Sequence, residues 1–185
     1  SIKDFKSTNI NFNALLKVQL FEPLEEIKIS KNIQKIGSIT DHISQKVRSQ
    51  YEENPYPRWR FMSSYKESKS SAIVIINNDI KPNSTSSNLG SKPLKVLIAG
   101  CGTGKQIIRA QSYKNADITA IDISNSSLSY AQRKINEMGI KNVNLFQMDI
   151  LEVALLKEQF DIIECCGVLH HMGDPQKGLK ALLDI

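Results

Sequence analysis

The chain has 185 residues, 41% of them hydrophobic, and its 24 Lys+Arg exceed its 19 Asp+Glu by a net +5. This length and composition fit one globular domain, or a small domain with a helical extension, and exclude a wholly disordered chain. No stretch of about 18 consecutive apolar residues is present, so the sequence predicts no membrane-spanning helix. Three cysteines without metal-ligand spacing predict a reduced, cytoplasmic compartment and no metal site.

The positive charge is concentrated in the first half of the chain. Residues 1–94 carry the whole of the net charge, whereas residues 95–185 are neutral overall. A polyanionic partner would therefore bind the first half, but a solvated, lysine-rich helical surface explains the same pattern. We expect neither nucleic acid nor a membrane among the partners.

Residues 1–50 are predicted to form a helical N-terminal segment. The apolar residues between 15 and 20 predict a short helix ending near Pro23. Thr40 and Asp41 are good N-cap residues for a second helix, which must end before Pro55 because proline disfavours helix in the residue ahead of it. Residues 51–93 are interpreted as a connecting or lid segment and a linker. Within them, the β-branched run at 72–76 predicts a strand, and residues 81–93 have linker composition.

Residues 94–185 have the pattern of an α/β domain. Short apolar runs predict four strands, at 96–99, 118–121, 143–146 and 160–165. Helical spacing from Leu128 to Met138 predicts a helix closed by Gly139, and Asp174 predicts the N-cap of a last helix. This alternation predicts a parallel, Rossmann-like sheet with a helical N-terminal segment. We expect the sheet to be truncated after the fourth strand, so that the domain is incomplete at its C-terminus and the protein is longer than this chain.

A glycine-rich turn follows the first strand of this domain, in Ile98-Ala-Gly-Cys-Gly-Thr-Gly104. A dinucleotide fingerprint would need glycine where Lys105 stands, so that pattern fails. A P-loop would need glycine at Ala99 and a hydroxyl at Gln106, so that pattern fails at two positions. The remaining G-x-G-x-G spacing is typical of the Rossmann-like methyltransferases that use S-adenosylmethionine.

Two carboxylates at successive strand ends point to the same nucleoside ligand. Asp122 ends the second strand and can accept hydrogen bonds from both hydroxyls of a ribose. Asp149 ends the third strand and can accept from an adenine amino group, with Ile150 offering an apolar face to the ring. Either carboxylate could instead cap the turn or helix that follows it.

Residues 95–184 resemble class I S-adenosylmethionine-dependent methyltransferases. More narrowly, Tyr51-Glu-Glu-Asn-Pro-Tyr-Pro-Arg-Trp59, the glycine turn and Glu164-Cys-Cys-Gly-Val-Leu-His-His171 resemble a bacterial subgroup whose methyltransferase domain follows tetratricopeptide repeats. Glu22-Pro-Leu-Glu-Glu26 extends the similarity, which covers most of the chain from about residue 12. The chain departs from the wider superfamily at Ile98, where an acidic residue is usual.

The resemblance implies which residues surround the cofactor. The glycine turn and the loop after the fourth strand would face the methionine end, while the two carboxylates and their neighbours would hold the nucleoside. The implied cofactor-binding residues are Gly100, Cys101, Gly102, Gly104, Asp122, Ile123, Asp149, Ile150 and Cys166.

Two further groups are candidates for contact with the methyl acceptor. Tyr51, Tyr56, Arg58 and Trp59 form either a lid that excludes water or a segment that packs the helical part on the sheet. The adjacent His170-His171 pair lies on the loop after the fourth strand, where one imidazole could act as a general base or the pair could simply order the loop. Asn54-Pro55-Tyr56 lies in the wrong place for the Asn-Pro-Pro-Tyr box of DNA adenine methyltransferases.

The sequence therefore predicts a methyltransferase acting on an unidentified small molecule or protein. Two alternatives stay open at this point. One is a cofactor-binding interaction module without turnover, whose protein partner would bind through upstream helical repeats. The other is a P-loop nucleotide hydrolase, which two defects in the glycine turn disfavour.

Overall fold

The computed structural model describes residues 7–61, 69–86 and 93–185. In chain order, the first half contains α1 (Ile10–Leu16), a π-helical turn (Lys17–Phe21), α2 (Glu22–Ser30), β1 (Gln34–Lys35), α3 (His42–Glu53) and α4 (Ala72–Asp79). The second half contains β2 (Leu94–Ala99), α5 (Lys105–Ala110), β3 (Ala116–Asp122), α6 (Asn125–Glu137), β4 (Val143–Gln147), a 3-10 helix (Ile150–Leu156), β5 (Ile162–Glu164), a 3-10 turn (Leu169–His171) and α7 (Pro175–Leu183).

The strands form one five-stranded sheet in the order β1-β4-β3-β2-β5. Every pairing in it is parallel, and Asp122 of β3 lies opposite Gln147 of β4. The order reverses between β2 and β5, so crossover helices cover both faces of the sheet. In such sheets ligands bind outside the carboxyl ends of the strands, near the point where the order reverses. The predicted α/β, Rossmann-like fold is confirmed.

The two faces of the sheet bury separate apolar clusters, because alternate side chains of a strand point to opposite faces. Val96, Ile98 and Ile118 pack with α5 and α6 on one face. Leu97 and Ile121 pack with the 3-10 helix 150–156 and α7 on the other. The strands therefore read as continuous hydrophobic runs, which is typical of a parallel sheet covered on both sides.

Several predicted helix boundaries are confirmed. The Asp41 carboxylate accepts from the Ser44 amide at 2.8 Å, and α3 ends at Glu53, ahead of Pro55. Gly139 follows α6 with a φ of +67°, the left-handed conformation that closes a helix. The Asp174 carboxylate accepts from the first turn of α7. These boundaries depend on local backbone chemistry, which is why the sequence predicts them.

The strand predicted at residues 72–76 is wrong. This run is the first part of helix α4, in which Ala72 is buried and Ile75 and Ile76 pack against the sheet. Val74 lies on the outer side and is exposed. The spacing of residues 72, 75 and 76 is that of one helix face, so packing on the sheet outweighs the β-branched preference for a strand.

Two features of the N-terminal segment also differ from prediction. The helical path continues through Pro23, which occupies the first turn of α2, where a missing backbone N–H costs little. Strand β1 was not predicted, because its two residues are polar and exposed and carry no hydrophobic pattern. The Ile36 amide continues the ladder by donating to the Gln147 carbonyl at 3.0 Å.

Among the described residues, no helix has the length and apolar character needed to cross a bilayer.

Candidate functional site

A cavity of about 320 Å³ opens at the carboxyl ends of β2, β3 and β4. Its volume is at the small end of the range for small-molecule sites, about 300–1,000 Å³. Four parts of the chain line it: the strand ends with the glycine turn, helix α3 with the start of the segment that follows it, the loop after β5, and the first turns of α5 and α6. We refer to the first part as the strand-end wall and to the second as the roof.

The glycine turn brings backbone to the cavity. The φ values of Gly100, Gly102 and Gly104 are +74°, +50° and +88°. Residues other than glycine rarely adopt this region. A Cβ at Gly100 would clash with a Val168 methyl, and one at Gly104 would lie 2.9 Å from the Ala131 Cβ. A Cβ at Gly102 would meet nothing closer than 3.8 Å. Gly100 and Gly102 line the cavity, whereas Gly104 packs behind it against α6.

Asp122 lies at the base of the strand-end wall. Its two carboxylate oxygens accept from the Gly102 and Ser124 amides, each at 2.8 Å, which links the glycine turn to the start of α6. Burial raises the pKa of Asp122 to about 6, against the lowering effect of these two hydrogen bonds. The carboxylate is thus fixed in place and has further lone pairs for a ligand.

Asp149 and its neighbours form the side of the strand-end wall. The Asp149 carboxylate accepts from the Leu151 amide at 3.0 Å, so it caps the 3-10 helix as well as lining the cavity. Ile150 and Met148 are buried beside it, and Ile123 lines the cavity from the end of β3. The capping role and the adenine-binding role predicted for Asp149 are therefore compatible.

The roof contains two of the four predicted lid residues. Tyr51 of α3 and Tyr56 line the cavity, together with Ser44 and Val47 of α3. Val47 and Tyr51 lie four residues apart on one helix face, a spacing visible in the sequence. Ser44 carried no comparable signal.

Arg58 and Trp59 lie outside the cavity lining and attach the roof to the sheet domain. The Trp59 indole donates to the Thr103 carbonyl at 3.1 Å, and Thr103 Oγ1 donates to the Pro57 carbonyl at 2.6 Å. Arg58 pairs with both Glu26 oxygens at 3.0 and 3.1 Å. The packing interpretation therefore describes Arg58 and Trp59, and the lid interpretation remains a prediction for Tyr51 and Tyr56.

Glu52 connects α3 to α6, a contact that the sequence did not predict. Its carboxylate accepts from the Asn125 and Ser126 amides at 2.9 and 2.8 Å, so α3 caps the N-terminus of α6. Burial acts to raise the pKa of Glu52, but these hydrogen bonds outweigh it and the pKa is lowered. Because Glu52 adjoins Tyr51 in the chain, this cap fixes the roof above the part of the cavity that Asp122 lines.

The loop after β5 completes the cavity with Cys166, Val168 and His171. The His171 ring meets Tyr51 edge to face, with 6.2 Å between centroids. His170 is not part of the lining and packs against His171, with 4.0 Å between centroids and an angle of 41° between the rings. Only one of the two imidazoles therefore lines the cavity. In the described ranges, no cluster of three or more His, Cys, Asp or Glu residues could hold a metal ion.

The cysteine of the glycine turn is a neutral group. Cys101 is buried, and burial together with the Asp122 charge raises the pKa of its thiol well above the ordinary value. A protonated thiol is a poor nucleophile and adds no charge to the cavity. Cys101 therefore contributes shape and backbone to the site.

The second half of the chain matches a known family. Residues 96–185 match the family profile described as a methyltransferase domain. An uncharacterized protein of Synechococcus sp. is 33% identical over 162 residues, which are 79% of this chain and 35% of that protein. A ubiquinone biosynthesis O-methyltransferase of Pseudomonas fluorescens is 32% identical over 105 residues, which are 56% of this chain and 44% of that enzyme. The chain thus spans less than half the length of these curated relatives.

A solved structure shares the fold. The magnesium protoporphyrin IX methyltransferase of Synechocystis PCC 6803, with bound S-adenosylmethionine, has a TM-score of 0.54 and 20% identity, covering 80% of this chain and 74% of that chain. At this identity the likeness concerns the fold. The family match supports a methyltransferase domain in residues 96–185. The subgroup with tetratricopeptide repeats stays a prediction.

Proposed function

We propose that the protein transfers the methyl group of S-adenosylmethionine to an acceptor that binds between the roof and the loop after β5. The observation that supports this most directly is the convergence of Gly102, Asp122 and Asp149 on one cavity. That cavity lies at the strand ends of a domain that matches the methyltransferase family.

The residues of the strand-end wall fit the cofactor. A fixed carboxylate at Asp122 suits two neighbouring ribose hydroxyls, and Asp149 beside Ile150 pairs a hydrogen-bond acceptor with an apolar face for a purine. The exposed backbone at Gly102 suits close approach of the methionine end. When bound, the cofactor supplies a methyl group on a positively charged sulfur.

The roof and the loop after β5 would serve the acceptor. Tyr51 and Tyr56 restrict access of water to the cavity, and in-line placement of a nucleophile is the main requirement of methyl transfer. As the nucleophile bonds to the methyl carbon, the carbon–sulfur bond breaks and its electron pair stays on sulfur. We assign His171 to receive the proton of a hydroxyl or amine nucleophile, and His170 to orient His171 by ring contact.

The acceptor is proposed to be a small molecule or a protein side chain. Val47, Val168 and Met172 give its part of the cavity an apolar surface, with His171 as the titratable group. The helical segment before α3 is proposed to serve a protein partner, as in the subgroup with upstream repeats. A cytoplasmic location remains the prediction made from the cysteines.

Calorimetric titration of S-adenosylhomocysteine into the full-length protein tests the cofactor. We expect micromolar binding. Asp122→Ala should weaken it by about a hundredfold, because the variant removes the carboxylate that is proposed to accept hydrogen bonds from two ribose hydroxyls. Asp117→Ala is the matched control, since Asp117 is an exposed carboxylate on the same strand. Absence of heat from a folded wild-type protein would refute the proposal.

A second experiment tests the class of acceptor. Transfer of tritium from labelled cofactor into size-fractionated cell extract would separate small-molecule from protein acceptors.

A further inference from the structure

Ser127 is a buried serine whose hydroxyl has no partner. It lies in the first turn of α6, is 1% exposed and belongs to the lining of the cavity. Within the described ranges of the chain, its Oγ makes no hydrogen bond. A buried hydroxyl in this state costs free energy, so native structures seldom leave one without a reason.

The neighbouring serines of α6 show how such hydroxyls are normally satisfied. Ser124 Oγ accepts from the Ser127 amide at 3.1 Å as the helix N-cap. Ser129 Oγ donates to the Asn125 carbonyl, four residues earlier, at 2.8 Å. The corresponding carbonyl for Ser127 is that of Ile123, which accepts instead from the Gln147 side-chain amide at 2.9 Å. Ser127 is thus the one of these three serines whose side chain no local group satisfies.

The position of Ser127 indicates which part of a ligand would satisfy it. Asp122 ends β3, Ser124 binds its carboxylate through the backbone, and Ser127 follows one turn into the helix. Asp122 and Ser127 therefore both belong to the lining of this cavity. A serine side chain has three staggered rotamers and can turn its hydroxyl toward the cavity at small cost.

We propose that Ser127 recognises the nucleoside of the cofactor, with its hydroxyl forming a hydrogen bond to a polar atom of the base or sugar held beside Asp122. This inference rests on the proposed function, because it takes S-adenosylmethionine as the ligand of the cavity. Ser127 gains on binding the partner that it lacks in the free protein, so the contact adds affinity and selectivity for the nucleoside.

The experiment compares Ser127→Ala with the matched control Ser129→Ala in the full-length protein. Both serines are buried to the same degree on the same helix, but Ser129 is not part of the cavity lining. Calorimetry with S-adenosylhomocysteine should show affinity lowered about five- to twentyfold by Ser127→Ala and changed less than about twofold by Ser129→Ala. 5′-Methylthioadenosine, which lacks the amino-acid part, should lose affinity by the same factor.

Thermal unfolding without ligand separates recognition from a structural role. Ser127→Ala should unfold at the same temperature as the wild type or higher, since it removes a buried hydroxyl without a partner. Equal affinity of Ser127→Ala and wild type for both ligands would overturn the inference, and so would a loss confined to S-adenosylhomocysteine. If the wild type binds neither ligand, the proposed function fails first, and this inference fails with it.

Discussion

The strand-end wall and the roof enclose the same cavity but are held by different interactions. The strand-end wall follows from the backbone of a parallel sheet, whose strands place Asp122 and Asp149 at one edge. The roof is held by side chains that reach across the chain: Glu52 accepts from the Asn125 and Ser126 amides, and Trp59 donates to the Thr103 carbonyl. Arg58, which follows the roof, pairs with Glu26 of α2, and Arg133 Nε of α6 donates to the same carboxylate at 2.9 Å. One side is therefore specified by local pattern and the other by long-range contacts.

The strand-end wall and the roof also differ in stability. Backbone ladders of a sheet open together, whereas a helix attached by a few polar contacts can open by itself. Arg133 is fully buried among Glu22, Glu26 and Glu137, and its guanidinium lies 4.8 Å from the centre of the Tyr130 ring. This ion cluster joins α2 to α6. We infer that the roof is the less stable side of the cavity and that the cluster supports it indirectly, because Arg58 pairs with Glu26.

The largest effect is expected from Arg133→Ala. The substitution removes the buried partner of Glu26 and Glu137, which keep Arg58 and Lys134 as partners. Loss of one member of a buried ion pair costs about 3–5 kcal/mol, and these remaining pairs make that figure the upper bound. Urea unfolding should show this loss, and hydrogen exchange should show faster exchange in α2 and α3 than in β3. The control is Gln132→Ala, whose side chain donates to Asn136 at the surface. Equal protection of α2 and β3 in the variant would contradict the distinction between the two sides.

A smaller effect is expected within the strand-end wall from Gly100→Ala. The left-handed φ costs about 1–2 kcal/mol for a residue with a Cβ, and contact with Val168 adds overpacking of about 1–3 kcal/mol. Gly102→Ala carries the backbone cost alone, because its Cβ would meet no close neighbour. Urea unfolding should therefore give a lower free energy of unfolding for Gly100→Ala than for Gly102→Ala. Equal stabilities would show that the loop carrying Val168 shifts freely and is not packed on the turn.

The smallest effect is expected from pH, acting through Asp122. With a pKa of about 6, its carboxylate is mostly ionised at pH 7 and mostly protonated at pH 5.5. Ribose hydroxyls donate best to the ionised form, so affinity for S-adenosylhomocysteine should fall about fourfold between those pH values.

Without ligand, the same group affects stability with the opposite sign. Its pKa is raised on folding, so its contribution is fully present below pH 3.8 and is lost as the pH rises through about 6. Asp122→Asn should remove both trends, which calorimetry and urea unfolding can follow. A pH dependence of affinity that survives in Asp122→Asn would show that another group causes it.

The sequence by itself determined the strand-end wall and most of the helix boundaries. The glycine turn, the carboxylates after β3 and β4, and the caps at Asp41, Gly139 and Asp174 all follow from local backbone chemistry and apolar periodicity. These properties lie within a few residues of each other, so one sequence suffices to read them.

Only the tertiary structure decided which residues form the roof and what holds it. Packing against the sheet turned residues 72–76 into helix α4, and β1 exists only because β4 offers it a free edge. Tertiary contacts also decide that Tyr51 and Tyr56 line the cavity whereas Arg58 and Trp59 do not. They likewise place Glu52 at the N-terminus of α6. Each depends on a partner far away in the chain, and the free energy of such a contact leaves no periodic signal in the local sequence.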